Sequence, residues 1–227
     1  DRCGSLPFVF HTDSLFRAYT EYALDVPMYF IWRDGRYVEV GGMSFRNYLE
    51  NGHAGERATI ADWTMHLTTL FPEVRLKNHL EIRGGDSGDP ALAVAQVALW
   101  KGILYHAAAL EEAWGLVSEL TWDERIAFHT EAARFGTRAR LGKLTALEAG
   151  KKLLGIAAEG LAAQGEPQEL LDPLVAILEH DKSCPAALLE QRWLGEWRQN
   201  PERLVEECSR LTLKFSKIAG ESLAEDF

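Results

Sequence analysis

The chain has 227 residues, 47% of them hydrophobic and 26% charged, and its formal net charge at pH 7 is −10. Acidity of this size argues against a nucleic-acid-binding or membrane-surface protein, because phosphates and anionic lipids select basic patches. No apolar run reaches the roughly 18–20 residues that a transmembrane helix needs. We therefore expect neither nucleic acid nor a membrane among the partners.

The cysteine usage indicates a reducing compartment. Cys3, Cys184 and Cys208 are few, odd in number and far apart, which is typical of free thiols and predicts a cytoplasmic protein. No cysteine or histidine cluster has the spacing of a zinc site, so we expect no structural zinc. The chain opens on Asp1 without a methionine, as expected of a fragment or a processed product.

The first ninety residues alternate between strand-like and helix-like segments. Residues 29–32 and 36–40 are rich in β-branched and aromatic residues and flank Asp34-Gly35. This pair is typical of a type I′ hairpin turn, in which both central positions need positive φ. Residues 44–50 and 59–70 each begin with a Ser or Thr cap, which predicts two helices.

A charged segment follows at residues 73–83. Its odd positions are all ionisable, and its even positions are apolar except Asn78. This two-residue period predicts one strand with an apolar face and a charged face, closed by Gly84-Gly85. A solvated outer face is one interpretation. The other is an anion- and metal-binding strand, in which Glu81 coordinates Mg²⁺ and Arg83 binds a phosphoryl or carboxylate group.

From about residue 90 the chain has helical periodicity. Helices are predicted near residues 91–105, 108–119, 122–134, 143–163, 167–180 and 185–197, with a tail helix near 201–217. Amphipathic helices of this kind usually form a packed scaffold. Together with the mixed first part, they predict an α+β fold.

Several long motifs between about residues 6 and 200 resemble those of plant- and proteobacterial-type glutamate–cysteine ligases. The motifs are Tyr22–Phe30, Ser44–Arg46, His66–Lys77, Leu80–Asp86 and Leu194–Trp197. Glu81-Ile82-Arg83 is also similar to the Glu-x-Arg strand motif of the glutamine synthetase superfamily. In that superfamily the Glu ligates Mg²⁺ and the Arg contacts the transferred phosphoryl group or the glutamate carboxylate.

The resemblance implies a domain organisation and a reaction. Residues 1–88 would be the C-terminal portion of a catalytic, glutamine synthetase-like antiparallel-sheet domain, and residues 89–227 a helical region packing on it. The implied reaction joins the γ-carboxylate of L-glutamate to L-cysteine through γ-glutamyl phosphate, using ATP and Mg²⁺, as the first step of glutathione biosynthesis. Complete members are considerably longer. We therefore expect a partial site, inactive alone, whose partner is the missing N-terminal half or a second copy.

The resemblance also suggests the roles of individual residues. The metal ligands would be Glu81 and Glu73, the catalytic cations Arg83, Arg75 and Lys77, and the amino-acid pocket residues Tyr22, Met28 and Tyr29. Arg and Lys are the side chains that bind phosphate as a fork and as a point charge. For the pocket residues, packing in the core is an equal alternative.

Two other functions stay open at this point. One is a carboxylate–amine ligase with a different amine acceptor, because Glu81 and Arg83 would serve the phosphoryl step and not acceptor choice. The other is a non-catalytic helical binding or scaffold module that does not respond to ATP or Mg²⁺. The regulatory cysteine pair of plant members is not expected, since no cysteine lies between Cys3 and Cys184.

Overall fold

The computed structural model describes residues 2–86, 88, 90–181 and 184–209. They belong to two compact units, Asp1–Asp86 and Ser87–Phe227. The first unit mixes short strands with helices and the second is mostly helical, which confirms the α+β class.

The strands of the first unit pair two by two. Strand β1 (Cys3–Gly4) is parallel to β4 (Phe71–Pro72), β2 (Phe30–Arg33) is antiparallel to β3 (Arg36–Glu39), and β5 (Val74–Leu76) is antiparallel to β6 (Leu80–Ile82). The antiparallel sheet expected here is therefore present, within the described residues, as short separate ladders.

The predicted hairpin and helices of this unit are present. Asp34 and Gly35 have φ of 48° and 77°, so the two-residue turn has the positive φ values that its sequence predicts. Three helices accompany the strands: α1 (Leu15–Asp25), α2 (Phe45–Asn51) and α3 (Ile60–Thr68). The Ser44 hydroxyl caps α2, and Thr59 forms a capping box with Asp62 at the start of α3.

The single strand predicted at residues 73–83 is a hairpin instead. Its two strands are β5 and β6, and the Lys77 N–H donates to the His79 carbonyl at 2.9 Å across the turn. The two-residue period of the sequence did not reveal the turn, because two residues that face each other across a hairpin project to the same side. When the turn has an odd number of residues, the alternation of charged and apolar positions therefore continues from one strand into the next. Asn78, the polar exception among the even positions, lies at the centre of the turn.

The first unit has two apolar clusters. One joins Tyr19 and Ala23 of α1 to Leu6, Val26 and Leu70. The other lies under the β2–β3 hairpin and α2, and its buried members are Met28, Ile31, Val40, Phe45 and Tyr48. His66, which is buried, links α3 to α1 through its Nε2 atom, 2.8 Å from the Ala23 carbonyl oxygen.

The second unit is a set of helices. They are α4 (Pro90–Leu104), α5 (Ala107–Gly115), α6 (Trp122–Phe135), α7 (Ala146–Ala163), α8 (Asp172–Ala176) and α9 (Pro185–Leu194). Residues 201–209 are also helical, and the rest of the predicted tail helix lies outside the described residues. Its core is built by α4, α5 and α7.

Four predicted helices of this unit have different bounds, and those predicted at residues 108–119 and 185–197 end early, at Gly115 and Leu194. The segment predicted as a helix from residue 143 begins as a hairpin of β7 (Arg140–Leu141) and β8 (Leu144–Thr145), after which Thr145 caps α7. The helix predicted at residues 167–180 is split into a 3₁₀ turn, α8 and a π-helical turn, and Pro173 stands in the first turn of α8, where its missing N–H has no cost.

Helices α4 and α7 approach closely through glycine. A Cβ atom added to Gly102 would overlap the backbone carbonyl of Ala157, and one added to Gly160 would overlap that of Gly102.

Among the described helices, none alone is long and apolar enough to cross a membrane; α4 and α5 pass that test as a pair, bent by 98°.

Candidate functional site

The β5–β6 hairpin places one carboxylate among three cations. Glu81 Oε2 lies 2.6 Å from Arg75 Nη2 and 3.5 Å from Lys77 Nζ, and its Oε1 atom accepts a hydrogen bond from Arg83 Nη1 at 2.9 Å. These residues were all predicted from the sequence as site residues. The hairpin brings them together, and we call them the Glu81 cluster.

The hairpin register explains the arrangement. Arg75 stands directly opposite Glu81, and hydrogen bonds flank this pair from Lys77 N to His79 O and from Arg83 N to Glu73 O, at 2.9 and 2.8 Å. Residues so paired share one face, so their side chains meet. Gly84 follows at once, and a Cβ there would stand 2.6 Å from Glu73 Oε2, so glycine makes room for that carboxylate.

Arg75 anchors the cluster to the unit. It is 8% exposed, and its Nη1 atom donates to the carbonyl oxygens of Thr68 and Leu70 at 3.1 and 3.2 Å. Arg83 lies further out, with its guanidinium carbon 5.3 Å from the centroid of the Phe71 ring. The buried Arg75 thus fixes the position of the Arg75–Glu81 pair, and Arg83 is the more accessible of the two arginines.

Neither face of the hairpin is uniformly buried or exposed: Leu76 packs against the first apolar cluster, and Lys77 is exposed. On the charged face, Arg75 is buried and the Glu81 side chain is 28% exposed. On the apolar face, Val74 is 47% and Leu80 60% exposed. A solvated charged face with a buried apolar face therefore describes Lys77 and Leu76 but not Arg75 and Leu80.

The electrostatics of the cluster favour an ionised carboxylate and a bound anion. The hydrogen bond from Arg75 has the largest effect on the pKa of Glu81 and lowers it; desolvation opposes this, the hydrogen bond from Arg83 adds to it, and the resulting pKa is about 2. Glu81 is therefore negatively charged at neutral pH. Three cations share this one carboxylate, which leaves the cluster with excess positive charge suited to phosphate or carboxylate groups.

The same residues do not form a Mg²⁺ site by themselves. Within the described ranges, no three His, Cys, Asp or Glu side chains are placed to hold one metal ion. Mg²⁺ prefers an octahedral set of oxygen ligands, whereas both oxygens of Glu81 already accept from cations. The metal-ligand role predicted for Glu81 and Glu73 therefore depends on ligands from elsewhere.

The three predicted pocket residues lie in different surroundings. Tyr22 is half-buried beside the first apolar cluster, and burial raises the pKa of its hydroxyl to about 12. Met28 is 2% exposed and belongs to the second cluster. Tyr29 is half-exposed, with the guanidinium carbon of Arg2 3.6 Å above its ring. Core packing accounts for Met28, and only Tyr29 presents a large free surface.

The buried hydroxyl of Tyr19, in the first apolar cluster, was missed from the sequence. Tyr19 is 6% exposed, and its hydroxyl has no hydrogen-bond partner among the described residues. The available signal was the spacing of Tyr19, Tyr22 and Ala23, which puts them on one face of a helix. That spacing predicts packing and says nothing of the hydroxyl.

Comparison with known proteins gives a consistent result over nearly the whole chain. The model of the family described as Glutamate-cysteine ligase family 2 (GCS2) matches residues 1–207. The chloroplastic glutamate–cysteine ligase of Solanum lycopersicum is 36% identical over 211 residues, which cover 91% of this chain and 40% of that protein. Those of Medicago truncatula and Arabidopsis thaliana are each 35% identical over 210 residues. The chain spans about two fifths of the length of these relatives.

The comparisons contradict the predicted location. The relatives are named chloroplastic, so the prediction of a cytoplasmic protein is wrong. Few, unpaired cysteines indicate a reducing compartment, and the three cysteines are indeed free thiols. They do not distinguish one reducing compartment from another, which is why the inference failed.

Proposed function

This chain belongs to glutamate–cysteine ligase family 2, and we propose that it carries part of the site that ligates the γ-carboxylate of L-glutamate to L-cysteine. The proposed reaction consumes ATP, requires Mg²⁺ and passes through γ-glutamyl phosphate, as the first step of glutathione biosynthesis. The observation that carries the proposal is the Glu81 cluster, whose three cations converge on one face of the β5–β6 hairpin.

The proposed chemistry requires that negative charge on phosphoryl and carboxylate groups be stabilised. Transfer of a phosphoryl group places negative charge on its oxygens, and preorganised cations stabilise that charge without a covalent nucleophile. Arg83 presents a planar fork to the phosphoryl group or the glutamate carboxylate, and Lys77, with 43% of its side chain exposed, supplies a point charge for phosphate. Arg75 is buried and positions Glu81.

Part of the proposed site comes from outside this chain. Mg²⁺ lacks a sufficient ligand set among the described residues, so its remaining ligands would come from the part of the relatives that has no counterpart here. The exposed apolar face of the hairpin, with Val74 and Leu80, offers a surface for that part or for a second copy of the chain, because contiguous exposed apolar residues mark interaction sites.

The test is reconstitution. The part of the tomato ligase that this chain does not cover is joined to the chain in one polypeptide, referred to below as the fused ligase. We expect release of phosphate that depends on ATP, Mg²⁺, glutamate and cysteine together, and none from the 227-residue chain alone. Release with other amines but not with cysteine would instead favour the ligase with a different acceptor.

The Glu81→Gln variant of the fused ligase tests the residue that carries the proposal. Glu81 is proposed as one of the Mg²⁺ ligands, so the loss of its charge should reduce turnover by roughly 10²–10³-fold and raise the Mg²⁺ requirement. Glu112→Gln is the matched control, because Glu112 is exposed on α5 and distant in sequence from the hairpin. Equal turnover of the two variants would refute the role of Glu81, and a folded fusion that never responds to ATP would favour the scaffold alternative.

A further inference from the structure

Helix α4 is apolar on its outer face as well as on its buried one. Only two of its fifteen side chains, those of Gln96 and Lys101, are charged or carry an amide. Its inner face, with Ala98 and Ile103, is buried in the core of the second unit. A helix of a globular protein that is apolar all round is usually buried on all sides. We therefore expect the outer face of α4 to be covered too.

The outer face of α4 presents a regular row of exposed residues. Ala93, Val97, Trp100 and Leu104 follow one another at intervals of four, three and four positions, and all of them are exposed. This spacing places the four side chains in one line along the helix. It is also the spacing of the a and d positions of a coiled coil, whose side chains insert between those of a facing helix. These four residues, which we call the α4 row, therefore have the pattern of a helix–helix contact.

Contact with water does not account for the α4 row. Solvated helix faces carry charged side chains, as α7 does at the exposed Lys151 and Lys152. The α4 row contains no charged residue. Lys101, the cation at its edge, forms an ion pair with Glu166. The row is thus an uncharged strip on the surface of a chain whose formal net charge is −10.

Three partners could cover the row, and the observations favour one of them. Helices that lie on a membrane carry Lys or Arg beside their apolar face, whereas α5, which follows α4, exposes Glu111 and Glu112. Two copies of a chain with a net charge of −10 would repel each other. This chain covers 40% of the tomato ligase, so most of that relative has no counterpart here. That part is a large partner that is expected to pack against the residues present.

We propose that the α4 row packs against a helix from the part of the relatives that has no counterpart in this chain. The inference rests on the proposed function, in which that part completes the site. The partner helix is expected to be amphipathic, with apolar residues at the same intervals of three and four positions turned toward Val97, Trp100 and Leu104. The role of the row is to hold the two parts of the ligase together, and it takes no part in the chemistry.

Thiol labelling of the Val97→Cys variant tests the proposal, and Val205→Cys is the matched control. Both valines lie in helical segments, where they are 69% and 65% exposed. In the 227-residue chain we expect a maleimide to label the two introduced thiols at similar rates, measured by peptide mass spectrometry to separate them from the native cysteines. In the fused ligase, Val97→Cys should react at least about tenfold more slowly, because a covered thiol reacts only when the contact opens. The rate at Val205→Cys should not change.

The other outcomes would overturn the proposal. Equal rates at Val97→Cys in the chain and in the fused ligase, or equal protection of both variants, would show that no helix covers the row. Protection in the 227-residue chain at every concentration would mean that the chain covers its own row. Protection only at high concentration, with a dimer in sedimentation, would assign the row to a second copy, and protection only by phosphatidylglycerol vesicles would assign it to a membrane.

The labelling result is independent of ligase activity. An inactive fused ligase in which Val97→Cys is protected would count against the proposed function and support the docking of a helix on the α4 row. An active fused ligase in which Val97→Cys is labelled as fast as in the 227-residue chain would support the proposed function and overturn the docking.

Discussion

Arg75 and Glu81 face each other across the β5–β6 hairpin, with the Arg75 Nη2 atom 2.6 Å from Glu81 Oε2. The guanidinium is the buried member of the pair, and two backbone carbonyls hold its other side. The carbonyls of Thr68 and Leu70 fix the Arg75 guanidinium, which in turn orients the carboxylate opposite, and Arg83 donates to the other oxygen of that carboxylate. Arg75 is fixed and Glu81 is oriented by it, so the cluster is preorganised to bind an anion.

The titration of Glu81 tests this electrostatic description. Its folded-state pKa, lowered first by Arg75, is about 2, against an ordinary value of 4.5. A depressed pKa contributes stability that is present above the ordinary value and is lost as the pH falls through the folded value. Carbon-13 NMR of the carboxyl group should therefore give a midpoint near 2. Arg75→Gln should move the midpoint upward, whereas a midpoint near 4.5 in the unaltered chain would show that the cations do not face Glu81.

Arg83 should not tolerate a lysine. Arg83→Lys keeps the charge but removes the planar two-pronged donor, so the fused ligase should lose about tenfold or more in kcat/KM for glutamate or ATP. Stability should hardly change, since Arg83 is partly exposed and makes one hydrogen bond to Glu81. Arg134→Lys, at an exposed position on α6, is the control. A melting temperature lower by many degrees with unaltered kinetics would show that Arg83 is structural.

Local signals in the sequence predicted local structure well. The Asp34-Gly35 pair predicted the β2–β3 turn, and the caps Ser44 and Thr59 predicted the starts of α2 and α3. Such signals act between residues a few positions apart. The parallel pairing of Cys3 with Phe71 has no local signature, because it joins segments far apart in the chain, and it was not foreseen.

The sequence predicted which charged residues form the candidate site but not that they lie on a hairpin. The alternation over residues 73–83 identified the charged face, yet a two-residue period does not distinguish one strand from a hairpin whose paired residues share that face. The period also does not say which face is buried. Arg75 is the buried residue of the charged face, because the carbonyls of Thr68 and Leu70 accept hydrogen bonds from its guanidinium. These hydrogen bonds depend on how distant parts of the chain pack, so the alternation of residues 73–83 does not reveal them.

Removal of one partner from the buried ion pair between Arg33 and Asp62 should destabilise the first unit. Arg33 Nη1 and Nη2 donate to the two oxygens of Asp62 at 2.7 and 2.8 Å, and the Asp62 side chain is 2% exposed. Asp62→Ala leaves the arginine without its main partner and also removes the capping box of α3. We expect a loss of roughly 3 kcal/mol in the free energy of unfolding.

Asp25→Ala is the control for that substitution, measured by the same urea denaturation. Asp25 pairs with Arg46, and their side chains are 65% and 37% exposed. Solvent screens such a pair, so we expect no measurable change in the unfolding midpoint. Equal destabilisation by the two substitutions would contradict the distinction between buried and exposed pairs drawn here.

The crossing of α4 and α7 should exclude any side chain at Gly102. A Cβ there would overlap the backbone carbonyl of Ala157, which cannot turn aside as a side chain would, whereas a Cβ at Gly155, on the same helix as Ala157, meets nothing within 4 Å. Gly102→Ala should therefore destabilise the second unit by at least about 2 kcal/mol, since overpacking forces the helices apart. Gly155→Ala, a matched substitution in the middle of α7, should stabilise it by roughly 0.5–1 kcal/mol through helix propensity. Denaturation followed by circular dichroism at 222 nm compares the two variants, and a Gly102→Ala chain as stable as the Gly155→Ala chain would show that the two helices do not meet at this glycine.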